Sequence, residues 1–293
     1  MTAPTVTPAP AAVPVPAAVP VPVPAAVPVS AAVPVPVPVR AVVRVRSDAA
    51  ARDLGRPAVL RSAVPHRPGG TERGGALIGR ILPAGVAASE AFDDAAPAPL
   101  FLAEAALMTG RRERRRRQFA TARACARRAL AELGRSPAPL LPGPGGAPRW
   151  PDGVAGSITH CDGYRAAVAA PAARYSALGI DAEPAGPLPR GVLGLITDPR
   201  ERAALAALAA AEPSVPWERI FFSAKEAVYK AWYPATGVWL GFRDATLGLS
   251  ADGTFTAEVR PPHPVDTDPR YEGRWLTGRG LVLTAVARPA LSP

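Results

Sequence analysis

The sequence predicts an α+β protein built from two similar halves with a cleft between them. Two segments, 111–133 and 216–234, repeat apolar residues at helical spacing. Each is followed by short strand segments bounded by turn residues, so the order helix then antiparallel strands occurs twice. Ahead of both lies a stretch of about ninety residues with neither pattern.

Residues 1 to about 40 repeat Ala-Ala-Val-Pro-Val-Pro and hold twelve prolines, with Arg40 the first charged side chain. Proline lacks a backbone donor and breaks helices, so this run is no transmembrane helix despite its valines. Without a basic leader it is a poor signal peptide. It reads as an extended polyproline-II-like tail. Residues 41–90 are rich in Arg, Gly and Pro and read as linker. The expected organisation is therefore 1–90 tail and linker, 91–179 first half, and 180–293 second half.

In the first half, Phe119, Ala122, Ala126, Ala129, Leu130 and Leu133 share one helix face, and Gly134 suits a left-handed stop. A Pro/Gly loop, 137–153, leads to strands at 156–160, 164–170 and 175–181. In the second half, 205–211 is a weak helix. The helix after Pro216 carries Trp217, Ile220, Phe221, Ala224, Val228, Ala231 and Trp232 on one face and is expected to stop at Pro234. Two hairpins follow, 243–249 with 253–260 and 271–276 with 280–287.

Composition narrows the partners. The chain has 293 residues, 48% of them hydrophobic, a net charge of +10 and a pI near 10.6. That charge favours an anionic partner. Two cysteines, Cys125 and Cys161, make no disulfide framework and fit a reducing cytoplasm. A nucleic-acid reader would need aromatic platforms beside its basic stripe, and only Phe119 lies in the arginine-rich helix.

Of 34 basic residues only two are lysines, Lys225 and Lys230, and they share one helix. A lysine is a compact point charge that the arginine fork does not replace at every site. Glu226 and Lys230 are neighbours at i and i+4, either a surface ion pair or part of a site. Ser223 with Glu226 matches a capping box, but Ser223 lies inside the apolar run, so no cap is expected there. Asp181 and Glu183, two apart at a strand end, project to one side. They are either a solvated pair or ligands for a hard divalent cation. Arg111, Arg112, Arg114–Arg117, Arg123 and Arg127 form a basic helix surface, with Arg116, Arg123 and Arg127 near one stripe; it either holds phosphates or is solvated. His160 either meets an anion or is structural. It cannot activate Cys161, which points to the opposite strand face.

Four blocks occur in a telling order: Trp150-Pro151-Asp152-Gly153, Gly156 to Arg165, Gly179-Ile180-Asp181-Ala182-Glu183-Pro184, and Phe222 to Trp232. Together they resemble the 4′-phosphopantetheinyl transferases, in particular the bacterial enterobactin-synthase type, which are monomers of two pseudo-symmetric halves. The resemblance spans roughly 92–288. It implies transfer of the phosphopantetheine arm of coenzyme A to a serine of an acyl or peptidyl carrier protein, releasing 3′,5′-ADP. It implies Mg²⁺, or Mn²⁺ in its place, held by Asp181, Glu183 and Glu226 with the Ala182 carbonyl nearby. Glu226, directly or through a metal-bound water, takes the serine proton, and Lys230 binds the pyrophosphate. Thr159 and His160 hold the 3′-phosphate, Arg115 and Arg123 contact nucleotide phosphates, and Leu240 lines the ligand pocket. Acidic carrier domains of polyketide, non-ribosomal peptide, siderophore or fatty-acid systems are the expected partners, with no nucleic acid and no membrane. One departure stands out: the loop 141–149 lacks the family's lysines and offers only Arg149. That loss also leaves a scaffold without turnover as a competing reading.

Overall fold

The computed structural model describes residues 76–95 and 99–290. The Pro/Val tail and the linker as far as residue 75 lie outside the described residues. The elements are β1 (Ala87–Ala91), α1 (Leu102–Ala106), α2 (Glu113–Glu132), β2 (Val154–Cys161), β3 (Tyr164–Pro171), β4 (Tyr175–Pro184), α3 (Val192–Ile196), α4 (Pro199–Ala211), α5 (Trp217–Thr236), β5 (Ala245–Leu249), β6 (Thr254–Val259), β7 (Arg270–Gly278) and β8 (Leu281–Pro289). Short 3-10 turns occupy Leu77–Ile81 and Phe242–Asp244.

The strands form two antiparallel sheets, β1-β3-β2 and β4-β8-β7-β6-β5. The α+β class holds. Helix α2 packs Cys125, Ala126, Ala129 and Leu130 on one face of the first sheet, against Ala167 and Ala169 of β3. The other face of β3, through Tyr164, Ala166 and Val168, meets Leu178 and Ile180 of β4 and Leu283 of β8 in a shared middle core. Helix α5 covers the far face of the second sheet with Trp217, Ile220, Phe221, Val228 and Trp232. Small alanines on α2 and β3 let helix and sheet approach closely, and apolar burial at ~25 cal/mol per Å² favours all three layers.

Four local expectations need correction. The linker does not run to residue 90: Leu77–Ile81 forms a 3-10 turn, and β1 fills the outer place in the first sheet beside β3. Its anchor is Glu90, which accepts the amides of Leu77 and Ile78 and the hydroxyl of Tyr164. A run such as Ala-Ala-Ser-Glu-Ala carries no period that would announce this strand. The strand at 175–181 belongs to the second half, not the first. It pairs with β8 along its whole length, so a boundary at 179/180 cuts through β4. Local pattern reveals a strand but not its partner. Helix α4 starts earlier than 205, because Asp198 caps it at the amides of Arg200 and Glu201 with Pro199 in its first turn. Helix α5 carries Pro234 inside its last turn and ends instead at Gly237, whose φ is 68°. A proline there forfeits a single backbone bond, whereas the left-handed residue ends the ladder.

Candidate active site

The site lies where the edge of β4 meets β2. Ile180 and Ala182 turn their backbone groups away from β8, toward β2. Ile180 N–H donates to Ser157 Oγ (3.1 Å) and Ala182 N–H to Thr159 Oγ1 (3.1 Å). The N–H and C=O of one strand residue point to the same edge, so the Ala182 carbonyl faces this seam too. From Ala177 on, the odd residues of β4 face α5, whereas Tyr175, before a bulge, packs into the middle core. Gly179 makes the approach possible: a Cβ there would collide with the Ala227 carbonyl and the Ala231 amide.

This close approach brings the helix side chains onto the strand carboxylates. Asp181 is buried and accepts three bonds: from Lys230 Nζ (2.6 Å), Ser223 Oγ (2.8 Å) and Thr159 Oγ1 (3.3 Å). Lys230 also donates to the Ile180 carbonyl (3.1 Å) and Thr159 Oγ1 (3.3 Å). Thr284 lies behind Ser223 and donates to its backbone carbonyl (2.9 Å). Glu183 pairs with Arg219 at 3.2 Å. Burial, then the Asp181 charge, pushes the Glu183 carboxyl up to about 7, against the pull of Arg219 and Lys230, and Glu226 pushes it further. Asp181, Glu183, Glu226, Lys230 and Arg219 therefore share one electrostatic neighbourhood. The i, i+2 reading of Asp181 and Glu183 and the i, i+4 reading of Glu226 and Lys230 meet here. Among the described residues, no three acidic, His or Cys side chains already form a closed metal cage. The Lys230 ammonium is the cation that Asp181 now holds.

The anion-side residues divide. Thr159 is buried and its hydroxyl is committed to Asp181, Lys230 and the Ala182 amide. His160 lies on the opposite strand face and meets Arg115 at 2.7 Å. Arginine only donates, so His160 Nε2 accepts in this contact. Arg123 is not on an exposed stripe. It is buried, lies 3.8 Å from Glu104 and stacks over Phe119. Burial lowers its pKa to about 10, and its Nε has no hydrogen-bond partner. Arg127 also turns to Glu104 (3.1 Å), while Arg116 faces Glu113 in solvent. The basic stripe is therefore broken between surface and core. Leu240 packs into the core with α5 and is nearly covered. In the loop 141–149, Gly145 takes a φ of 61° against the Tyr233 ring, and the Arg149 side chain lies along Gly143. Burial raises the Cys161 thiol to about 12, helped by Glu183 and Asp181, so it is no nucleophile.

Two family profiles match in tandem. A 4′-phosphopantetheinyl transferase N-terminal domain matches residues 103–170, and the 4′-phosphopantetheinyl transferase superfamily matches 177–285. The 4′-phosphopantetheinyl transferase Svp of Streptomyces mobaraensis is 52% identical over 72% of this chain and 89% of its own length. The chain belongs to the 4′-phosphopantetheinyl transferase superfamily. The transferase Npt of Nocardia iowensis is 44% identical over 72% of this chain and 99% of its own. PptT of Mycobacterium tuberculosis is 43% identical over 72% of this chain and 98% of its own. As a phosphopantetheinyl transferase the protein uses coenzyme A as substrate, moves its phosphopantetheine arm to a carrier-protein serine and releases 3′,5′-ADP. No helix among the described residues is long and apolar enough to cross a membrane.

Sequence reasoning missed four contributors. Ser223 was weighed only as a cap, Thr284 and Arg219 carried no motif, and Lys225 had no role. Lys225 is buried and donates to the carbonyls of Ile196 (2.7 Å) and Phe242 (2.8 Å) and to Glu201. Three donors meet three acceptors, which suits a lysine and not a five-donor guanidinium. The scarcity of lysine was the available signal for this residue.

Proposed function

We propose that this transferase works with a divalent cation, Mg²⁺ or Mn²⁺, held by Asp181, Glu183, Glu226 and the Ala182 carbonyl. The observation that carries the reading is the crowding of Asp181 and Glu183 on the α5 face of β4, where burial first and the Asp181 charge second hold Glu183 up near 7. Two carboxylates so placed repel unless a cation sits with them, and a hard ion prefers oxygen ligands. When bound, the ion supplies charge neutralisation for the diphosphate.

The protein's own groups do the remaining work. Glu226 accepts the proton of the carrier serine as its oxygen forms a bond to the phosphorus bearing the pantetheine arm. The bond from that phosphorus to the leaving phosphate breaks, and 3′,5′-ADP takes the electron pair. Lys230, now bonded to Asp181, transfers its ammonium to the pyrophosphate and steadies the leaving charge. Its side chain is part-exposed, so the ligand reaches it. Arg115 and His160 form the anion contact for the 3′-phosphate. Thr159 supports this by fixing Asp181 and β4 rather than by touching phosphate. Arg123 acts from within through its positive field, and Leu240 backs the ligand wall. The carriers are acidic domains of polyketide, non-ribosomal peptide, siderophore or fatty-acid synthases. A monomer in the cytoplasm is the form the family resemblance implies, and we carry it over to this chain.

The test is incubation with coenzyme A and a panel of apo carriers, read by intact mass. Wild-type protein should add the arm only with Mg²⁺ or Mn²⁺ present and lose this with a chelator. Glu226→Gln should cut the rate by about 10²–10⁴, the range for a general base, with an unchanged circular dichroism spectrum. Full activity of that variant would remove Glu226 from the role.

A further inference from the structure

We propose that Arg165, locked by Asp94, is the positioning residue that holds His160 for the 3′-phosphate, so that this buried pair sets the preference for coenzyme A over 3′-dephospho-coenzyme A. The proposal rests on the reading that His160 and Arg115 form the anion contact.

His160 stands near the end of β2, just before the Asp162-Gly163 turn into β3. In the antiparallel pair, Arg165 of β3 lies directly opposite it. Opposed residues project to the same face, with Cβ atoms about 4.5–5.5 Å apart. That face is the one α2 covers, since Ala167 and Ala169 of β3 pack under α2 and side chains two apart share a face. His160 therefore has two arginine neighbours of different kinds. Arg115 reaches it from α2 at 2.7 Å. Arg165 is buried and turns its guanidinium to the hairpin end, where it donates to the carbonyls of Cys161 and Tyr164 (2.7 Å for Tyr164). It thus closes both sides of the turn that follows His160. A second tie, Arg114 to Asp162, joins the same turn to α2 beside Arg115. Both of its partners are exposed, so it contributes little, and the buried arginine carries the constraint.

Asp94 decides where Arg165 points. Its Oδ2 accepts Arg165 Nη2 at 2.5 Å, and the two side chains are only 18% and 4% exposed. The carboxylate arrives from the segment after β1. Phe92 is seated edge-on against Tyr164, with centroids 5.3 Å apart, and the Arg279 guanidinium covers its ring at 3.8 Å. Asp93 then accepts the Ala95 amide (3.1 Å) and turns the chain. A stretch with no motif of its own thus delivers a charge to the hairpin. Stability does not account for the pair. Arg165 Nε and Asp94 Oδ1 are buried without a hydrogen-bond partner. A buried ion pair left with incomplete bonding is often matched or exceeded in stability by apolar residues of similar volume. What the pair secures is geometry: a planar fork fixed by three acceptors cannot swing along the strand, and His160 keeps one place relative to Arg115.

The test is calorimetric titration of the full chain, with Mg²⁺ present, by coenzyme A and by 3′-dephospho-coenzyme A, beside thermal melts. Arg165→Met should weaken coenzyme A binding about tenfold, the scale of one hydrogen bond to a charged group, and leave the affinity for 3′-dephospho-coenzyme A as in wild type. That substitution strands Asp94 and lowers Tm, so a double variant, Asp94→Asn with Arg165→Met, removes both charges. Its Tm should return toward wild type while the loss for coenzyme A persists. A double variant that binds coenzyme A like wild type, or a loss equal for the two ligands, overturns the positioning role. His160→Ala should abolish the preference for coenzyme A. If it weakens both ligands equally, or if the wild-type protein shows no preference, the 3′-phosphate reading itself falls.

Discussion

Glu183 is held between opposing neighbours. Burial and Asp181 favour its neutral form, while Arg219 and Lys230 favour its charge, and the balance lifts it from 4.5 to about 7. A carboxyl raised in the folded state contributes stability that is full below its unfolded value and is lost as pH climbs through the folded one. Without added metal, the protein should therefore lose up to about 3 kcal/mol between pH 4.5 and 7 relative to Glu183→Gln, since each unit is worth about 1.4 kcal/mol. Thermal melts of both proteins across that range check this. A constant offset would show that Glu183 does not titrate there. At pH 7, Mg²⁺ should raise the Tm of the wild-type protein and leave Glu183→Gln nearly unmoved. An equal rise in both would place the ion elsewhere. Asp181 is constrained differently. Its three donors come from two elements, β2 and two successive turns of α5, so its position reports their assembly rather than any local sequence preference.

At the scale of elements, the site depends on how closely α5 lies on β4. Gly179 sets that distance, since a side chain there meets helix backbone that cannot move alone. Gly179→Ala should destabilise the protein by about 1–3 kcal/mol, the range for overpacking, and lower kcat by separating Glu226 and Lys230 from Asp181. Urea melts with parallel rate measurements decide it. Retention of both stability and rate would show that the contact is slack. The opposite face of α5 depends on Lys225. Burial lowers the pKa of its ammonium, and Glu201 opposes that shift. Lys225→Met removes one partner of a buried pair and should cost about 3–5 kcal/mol. A loss below about 1 kcal/mol would mean that Glu201 finds water or another donor.

At the scale of the whole molecule, the two halves repeat a device as well as an order of elements. Glu104 accepts the Phe101 amide at the start of α1, accepts the Leu140 amide and holds Arg127 of the long helix α2. Glu201 closes a capping box at the start of α4, accepts the Leu247 amide and holds Lys225 of the long helix α5. In each half a buried glutamate joins a short helix, a long helix and the chain beyond. Removal of Glu104 would strand Arg127 and Arg123 in the core. Glu104→Ala should lower Tm by about 6 °C or more, taking at least ~3 kcal/mol for a broken buried pair and about 2–4 °C per kcal/mol at this size. A Tm within a degree of wild type would mean that the arginines escape to solvent.

The sequence by itself determined the two long helices, the α+β class, the placement of Asp181 and Glu183 on one side of their strand, and the superfamily. Each follows from a short-range period or from side chains fixed in order along the chain. Tertiary structure alone decided which sheet β4 joins, that Ala87–Ala91 pairs as a strand, and that Arg123 and Arg127 turn inward to Glu104. It also decided that Thr159 and His160 serve opposite faces of β2 and that Ser223 and Thr284 support Asp181. These outcomes depend on partners far away in the chain. A strand shows its periodicity but not its neighbour. An arginine shows its charge but not whether a buried carboxylate waits for it.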